Sequence, residues 1–311
     1  MKSVFALCLL APCLWAQEGT GPFPAILEQD PSLATHTVYR PQDLSKVKGE
    51  RLPIIAWGEG GCANNGLAHR NFLMEIASYG FLAIAIGPPQ APRPAGQSQQ
   101  APPAGAAGQA GQAPPAGAPG RGGPAAGPAT KSSQLIDAIN WAIAENSRKG
   151  SPYEGKLDVS KIAVMGMSCG GIQAYAVATD PRVKLVGIFN SGILPSSGGR
   201  GPAMEDVRKD QLDKLHSPIF YVTGDKTDIA FENGMDDFKR ITKVPAIHTY
   251  KDGVSHGGTY GQPNGGDFAL VAVAMLKWQF KNDNEASKMF LGEKCGLCQD
   301  PQWHVSTKGV K

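Results

Sequence analysis

The chain has 311 residues, 41% of them apolar, and a formal net charge of only +3. A chain of this length and composition can bury a substantial core, and one α/β domain of this size is ordinary. The lysines and arginines form no basic stripe along the sequence, so the composition argues against a nucleic-acid partner.

The first residues have the pattern of a secretory signal peptide. An apolar run follows Lys2, and Ala16 then supplies a small residue for cleavage, which predicts a signal over residues 1–16. The run is too short to span a membrane, and the proline before Cys13 argues against a lipoprotein signal. We therefore expect a secreted or periplasmic protein whose mature chain, residues 17–311, forms one domain without a membrane span.

Apolar runs of strand length alternate with segments of helical spacing along most of the chain. Strands are predicted at residues 36–40, 52–57, 81–86, 162–166, 185–189, 219–223 and 246–250, and helices at 71–77, 132–143, 169–178 and 268–280. This alternation predicts an α/β fold with a mostly parallel, doubly wound sheet and helices on both faces. The strand at 246–250 is predicted to be the last.

Three segments fall outside this alternation. Residues 18–33 show little periodicity and are predicted to be a surface lead-in, and residues 282–311 are predicted to be a cysteine-containing tail. Residues 88–130 consist largely of proline, glycine, alanine and glutamine, so they can bury too little apolar surface to offset the entropy of ordering. We predict a disordered insertion there, interpreted as a loop expansion rather than as a segment that binds carbohydrate or cell wall.

The sequence Gly166-Met167-Ser168-Cys169-Gly170 follows a strand-like apolar run and precedes a helical segment. Gly-x-Ser-x-Gly in this context predicts a nucleophile elbow, a sharp turn with the serine at its tip. The flanking glycines leave the room that a Cβ would occupy. Ser168 is therefore the candidate nucleophile.

A serine nucleophile needs a base within hydrogen-bond reach and a carboxylate that orients the base. His256 lies in a glycine-flanked loop after the strand at 246–250 and is the candidate base, whereas His248 lies inside that strand and is predicted to be a sheet residue. Asp225 and Asp228 both follow the preceding strand. The order of serine, aspartate and histidine is the one expected for this class of fold.

The motifs Gly-Met-Ser-Cys-Gly, Gly-Asp-Lys-Thr-Asp-Ile-Ala and Ser-His-Gly-Gly resemble those of α/β-hydrolases near the dienelactone hydrolases, cutinases and bacterial polyester hydrolases. The resemblance covers residues 39–280 apart from the insertion. It implies that Asp228 is the acid, with Asp225 as the alternative and a helix cap as the other role for Asp228. Phe231, where cutinases often have proline, and the glycine-rich loop after Gly58 depart from the family and bear on the substrate.

The resemblance also implies the residues around the reacting carbonyl. One oxyanion donor is expected to be the N–H of Cys169, and the other the N–H of Glu59, with Gly60 as the neighbouring alternative. Met167 is expected at the acyl site, and core packing is its alternative role. These sites require no cofactor and no metal.

Four cysteines, Cys62, Cys169, Cys295 and Cys298, remain after removal of the signal, and an oxidising compartment permits two disulfides. Cys62 and Cys169 both lie beside the predicted oxyanion hole, which favours a disulfide over two reduced, packed thiols. For Cys295-x-x-Cys298 we expect a local disulfide rather than a zinc or redox site, because zinc would need further ligands.

The sequence thus predicts an exported serine hydrolase that cleaves carboxylic esters, small or polymeric, through an acyl-enzyme on Ser168. One alternative is a noncatalytic surface or polymer-binding protein that retains the fold. The other is a peptidase or acyltransferase of the same fold. The presence of all three reactive residue types favours an enzyme.

Overall fold

The computed structural model describes residues 19–47, 50–89, 129–195 and 204–310. The predicted signal peptide and nearly all of the predicted insertion lie outside these residues, so both stay predictions. Within the described residues, no helix is long and apolar enough to cross a lipid bilayer.

A single sheet contains all nine strands of the described residues. They are β1 (Ala25–Glu28), β2 (His36–Pro41), β3 (Leu52–Gly58), β4 (Leu82–Ile86), β5 (Leu157–Met167), β6 (Val183–Phe189), β7 (Ile219–Gly224), β8 (Ala246–Lys251) and β9 (Trp303–Lys308). Their spatial order is β1-β2-β4-β3-β5-β6-β7-β8-β9. Neighbours from β4 to β8 are parallel, and β1, β2 and β9 are antiparallel at the two edges. The predicted α/β class with a mostly parallel sheet is confirmed.

Helices cover both faces of the sheet. They are α1 (Arg70–Ser78), α2 (Ser133–Ser147), α3 (Cys169–Val177), α4 (Phe231–Arg240), α5 (Gly266–Lys281) and the short α6 (Asn284–Ser287). Side chains alternate along a strand, so Ile54 of β3 packs in the core that includes α2, α3 and α4, while its neighbour Ile55 packs in the core that includes α1 and α5. Two apolar layers therefore sandwich a sheet whose central strands are buried on both faces.

Two predictions at the sheet edges are wrong. Part of the predicted surface lead-in forms β1, which pairs antiparallel with β2, and the strand at 246–250 is not the last, because β9 in the predicted tail pairs along the whole of β8. Trp303 in β9 is buried in the core beside Phe268. A short edge strand has little periodicity of its own, and its pairing is set by the strand that it meets.

The carboxyl ends of the parallel strands lie at one edge of the sheet, where the loops of such folds form ligand sites. Glu59 follows β3, Ser168 follows β5, and Asn190 follows β6. Asp228 follows β7, and His256 follows β8. Five strands thus each deliver one of these polar residues to the same edge.

Candidate functional site

The turn between β5 and α3 places Ser168 in a strained conformation, with φ 53° and ψ −117°. A Cβ added at Gly166 would lie 2.3 Å from the carbonyl oxygen of Gly170, so the turn closes only with glycine. The Ser168 N–H donates to the carbonyl of Phe189 at 2.9 Å, and the Ser191 hydroxyl donates to the carbonyl of Ser168 at 2.7 Å. These bonds hold the hydroxyl of Ser168 at the tip of the turn.

The structure brings Ser168, His256 and Asp228 together. His256 Nε2 lies 2.9 Å from Ser168 Oγ, and His256 Nδ1 lies 2.7 Å from Asp228 Oδ1. A carboxylate only accepts hydrogen bonds, so Nδ1 carries the imidazole proton and the lone pair of Nε2 faces the Ser168 hydroxyl.

The Asp228 carboxylate is buried and receives several hydrogen bonds. Oδ1 accepts from the Ala230 N–H at 2.9 Å, and Oδ2 accepts from Asn190 Nδ2 at 2.8 Å and from the Gly224 N–H at 3.2 Å. Burial by itself raises the pKa of Asp228, but the hydrogen bonds from His256, Ala230 and Asn190 outweigh burial, so the pKa lies below its ordinary value. The carboxylate therefore stays charged beside the imidazole.

The other candidate aspartate has a different set of partners. Asp225 Oδ1 accepts from the N–H and the hydroxyl of Thr227, at 2.8 and 2.7 Å. Asp225 Oδ2 accepts from the Gly253 N–H at 2.7 Å. Asp225 thus ties its own loop to the loop that carries His256, and of the two aspartates it is Asp228 that contacts the imidazole.

His248 lies within β8, away from the three side chains, as expected of a sheet residue. It is buried among aromatic rings that include Tyr221, Phe238 and Tyr250. Neither ring nitrogen has a hydrogen-bond partner among the described residues. Burial lowers the pKa of His248 to about 4, so this histidine is neutral at physiological pH.

The loop after β3 lies directly against the turn that carries Ser168. A Cβ added at Gly170 would lie 2.0 Å from the carbonyl oxygen of Gly58 and 2.8 Å from the amide nitrogen of Glu59. A Cβ added at Gly60 would lie 2.7 Å from the sulfur of Met167. Met167 belongs to the buried core and also contacts this loop. The predicted oxyanion donors and the predicted acyl-site residue are therefore neighbours in space.

The side chain of Glu59 is fully buried and hydrogen-bonds His69 Nδ1 through Oε2. Its other oxygen, Oε1, has no partner among the described residues. The His69 ring packs edge-on against Trp57 and Tyr260, with centroid distances of 5.3 and 4.6 Å. The sequence gives no indication of the Glu59–His69 pair, because His69 has no motif around it.

Both predicted disulfides are confirmed. Cys62 is bonded to Cys169 across 107 residues of sequence, with 5.2 Å between their Cα atoms, and Cys295 is bonded to Cys298. Among the described residues, no group of histidine, cysteine, aspartate and glutamate side chains is arranged to hold a metal ion.

Sequence reasoning missed two polar residues at the site, Asn190 and Tyr260. Asn190 is buried, has φ 39°, and hydrogen-bonds both Asp228 and Tyr260. Asn190 is the first polar residue after a buried strand, as is Glu59, and this placement was a usable signal. Tyr260 stands in the glycine-rich loop only four residues after His256.

This arrangement can activate a hydroxyl. As Ser168 Oγ attacks an electrophilic carbon, its proton can pass to His256 Nε2, and the charge that develops on the imidazole is stabilised by Asp228. No protein-family model matches the chain, and comparison with curated proteins gives no significant match. The assignment of a function therefore depends on the geometry of these side chains.

Proposed function

We propose that this protein is a serine hydrolase of the α/β-hydrolase fold that cleaves carboxylic esters through an acyl-enzyme on Ser168. The observation that carries the proposal is the relay of two hydrogen bonds, 2.9 Å from Ser168 to His256 and 2.7 Å from His256 to Asp228. The three residues come from three different loops at the carboxyl edge of the sheet. A noncatalytic binding protein has no need of a strained serine aligned with an oriented imidazole.

In the proposed reaction, Ser168 Oγ attacks the ester carbonyl while His256 Nε2 takes the hydroxyl proton. His256 then donates that proton to the departing alcohol, which leaves an acyl group on Ser168. A water molecule enters, gives a proton to His256 and attacks the acyl carbon, and the proton returns to Ser168 as the acid is released. Asp228 keeps the imidazole in the required tautomer throughout.

The negative charge on the tetrahedral intermediate needs two donors. Cys169 is the first residue of α3, and the first N–H groups of a helix have no intrahelical acceptor. A Cβ built on Gly170, two residues after Ser168, would lie 2.8 Å from the Glu59 amide nitrogen, so this amide also lies beside the turn. We assign the oxyanion to the N–H groups of Cys169 and Glu59, with Gly60 as the alternative to Glu59.

The test combines covalent labelling with ester hydrolysis. A fluorophosphonate probe is expected to label Ser168, identified by peptide mapping, and the protein is expected to hydrolyse p-nitrophenyl esters of graded acyl length. Ser168→Ala should abolish labelling and lower kcat by about 10⁴- to 10⁶-fold, because the three side chains act as a unit. Ser147→Ala, which changes an exposed serine at the end of α2, is the matched control and should behave as the parent.

Two results would contradict the proposal. Labelling or turnover that survives Ser168→Ala would place the nucleophile elsewhere. A folded parent protein that takes no label and cleaves no ester, on the p-nitrophenyl series or on polyester films, would support the noncatalytic alternative.

A further inference from the structure

Asn190 stands between the strands that carry the proposed nucleophile and the proposed acid. It follows β6, which lies between β5 and β7 in the sheet, and its N–H donates to the carbonyl of Val222 in β7 at 2.9 Å. Its side chain is completely buried. A buried amide at this place must have partners on both ends.

Three partners fix the direction of the amide, and the weakest bond runs from Nδ2 to the Ser255 carbonyl at 3.4 Å. Asp228 Oδ2, 2.8 Å away, can only accept, so the atom facing it must be Nδ2. The opposite end, Oδ1, accepts from the Tyr260 hydroxyl. If the amide were flipped, an oxygen would face a carboxylate, and an NH₂ would face a hydroxyl that then has no acceptor among the residues that the structure describes. The network therefore defines a single orientation.

We propose that Asn190, itself held by Tyr260, is a positioning residue for Asp228 in the reaction proposed above. Asp228 Oδ2 receives Asn190 at 2.8 Å and the Gly224 N–H at a longer 3.2 Å. Oδ1 receives His256 and the Ala230 N–H. The bond from Asn190 is the shorter of the two on Oδ2, and it keeps the plane of the carboxylate aligned so that Oδ1 faces the imidazole.

The surroundings of Tyr260 keep this support intact. Its ring is buried against His69 and Phe72, with centroid distances of 4.6 and 5.4 Å. Burial and the negative charge of Asp228 raise the pKa of Tyr260 well above its ordinary value, so the hydroxyl remains a donor. The loop after β3 thus reaches Asp228 through Glu59, His69, Tyr260 and Asn190 in turn.

The backbone explains why asparagine fits here. At φ 39° Asn190 is in the left-handed region, which asparagine, aspartate and glycine tolerate better than other residues. Asn190→Gly therefore removes the side-chain donor but still allows the left-handed backbone conformation. Asn190→Asp keeps the size and the backbone preference but places a second carboxylate against Asp228.

The two variants have different expected outcomes with p-nitrophenyl butyrate. Asn190→Gly should lower kcat by about 10- to 100-fold, the effect of losing one charge-assisted hydrogen bond, with little change in KM. Asn190→Asp should move the acid limb of the kcat/KM profile to higher pH, because a second negative charge near His256 favours the imidazolium. The titratable groups around this position are Asp228, His256 and Tyr260, with His69 and Glu59 behind Tyr260.

Two tyrosine variants complete the experiment. Tyr260→Phe should lower kcat in the same direction as Asn190→Gly, because the amide loses the bond that orients it. Tyr153→Phe is the control, since Tyr153 is also buried and its hydroxyl donates to a carboxylate, Glu28, at 2.7 Å. Tyr153 lies just before the amino end of β5, whereas Ser168 follows its carboxyl end. The kcat of Tyr153→Phe should therefore equal that of the parent.

The outcomes distinguish a failure of the positioning role of Asn190 from a failure of the proposed serine hydrolase function, on which that role rests. If Ser168→Ala retains turnover, the proposed function fails. If Ser168→Ala is inactive while Asn190→Gly and Tyr260→Phe keep the parental kcat, the function stands and the positioning role is wrong. Should Asn190→Gly fail to fold, Tyr260→Phe decides, since it adds no charge and a purely structural Asn190–Tyr260 pair would leave kcat at the parental value.

Discussion

Cys62 and Cys169 are joined by a disulfide although 107 residues separate them in sequence. Cys169 directly follows Ser168, and Cys62 lies three residues after Glu59 in the loop that packs against the turn. One disulfide thus joins the two segments that carry the proposed oxyanion donors. This bond should influence both the stability of the fold and the rate of the reaction.

We expect the double variant Cys62→Ala with Cys169→Ala to lose about 2–5 kcal/mol of unfolding free energy, since a loop of about 100 residues is then no longer closed in the unfolded chain. Its kcat should fall more than its KM rises, because the disulfide no longer holds the two proposed oxyanion donors in place for the transition state. Chemical denaturation and p-nitrophenyl ester kinetics measure the two effects. Cys295→Ala with Cys298→Ala is the control, and its short loop predicts a smaller stability loss of about 2 kcal/mol and an unchanged kcat. Equal losses of kcat in the two double variants would contradict a role of the Cys62–Cys169 disulfide in positioning the oxyanion donors.

The two aspartates after β7 should differ sharply in function. Asp228→Asn is expected to lower kcat by about 10⁴-fold, because the amide favours the wrong tautomer of His256. Asp225→Asn removes a carboxylate that bonds Thr227 and Gly253 in an exposed loop and should leave kcat close to the parental value. Steady-state kinetics of both variants decide. A larger loss for Asp225→Asn than for Asp228→Asn would reverse the assignment of the acid.

The contact between the loop after β3 and the turn at Ser168 can be tested with one methyl group. In Gly170→Ala, the added Cβ would lie 2.0 Å from the carbonyl oxygen of Gly58, so the backbone must move. We expect a lower melting temperature and a large loss of ester turnover, because the amide of Glu59 moves with it. Gly261→Ala is the control, since a Cβ there meets no atom within 4 Å. Parental turnover in Gly170→Ala would show that the loop does not supply an oxyanion donor.

His248 should make the fold sensitive to acid. Its pKa is about 4 in the folded protein, against 6.5 for an ordinary histidine. Between these pH values the unfolded chain binds more protons, so the contribution of His248 is complete above about pH 6.5 and is lost as the pH falls towards 4. In His248→Leu, the decrease in unfolding free energy between about pH 6.5 and 4 should be smaller than in the parent by about 2–3 kcal/mol. Denaturant titrations at several pH values measure the slope, and equal slopes in parent and His248→Leu would contradict the prediction.

Much of the central sheet and one part of the site follow from local sequence. Apolar runs predicted the strands from β2 to β8. Gly-x-Ser-x-Gly predicted the turn at Ser168, because the steric conflict that requires glycine at position 166 is with Gly170 of the same motif. The edge strands β1 and β9 were not predicted. Their pairing depends on the exposed edges of β2 and β8, which exist only after the sheet has formed.

The sequence named His256 and Asp228 as candidates, but tertiary structure decided which polar side chains meet around Ser168. Asp225 and Asp228 share one loop and one residue type, yet Asp228 meets His256 while Asp225 accepts from the Gly253 N–H, 28 residues away. Tyr260 and Asn190 are 70 residues apart and lie in no common motif, yet they form one hydrogen bond. Sequence alone determined the strands and the serine turn, because these depend on side-chain pattern and local sterics. Only the packed sheet determined which polar groups meet, because their directions are set by loops that close across several strands.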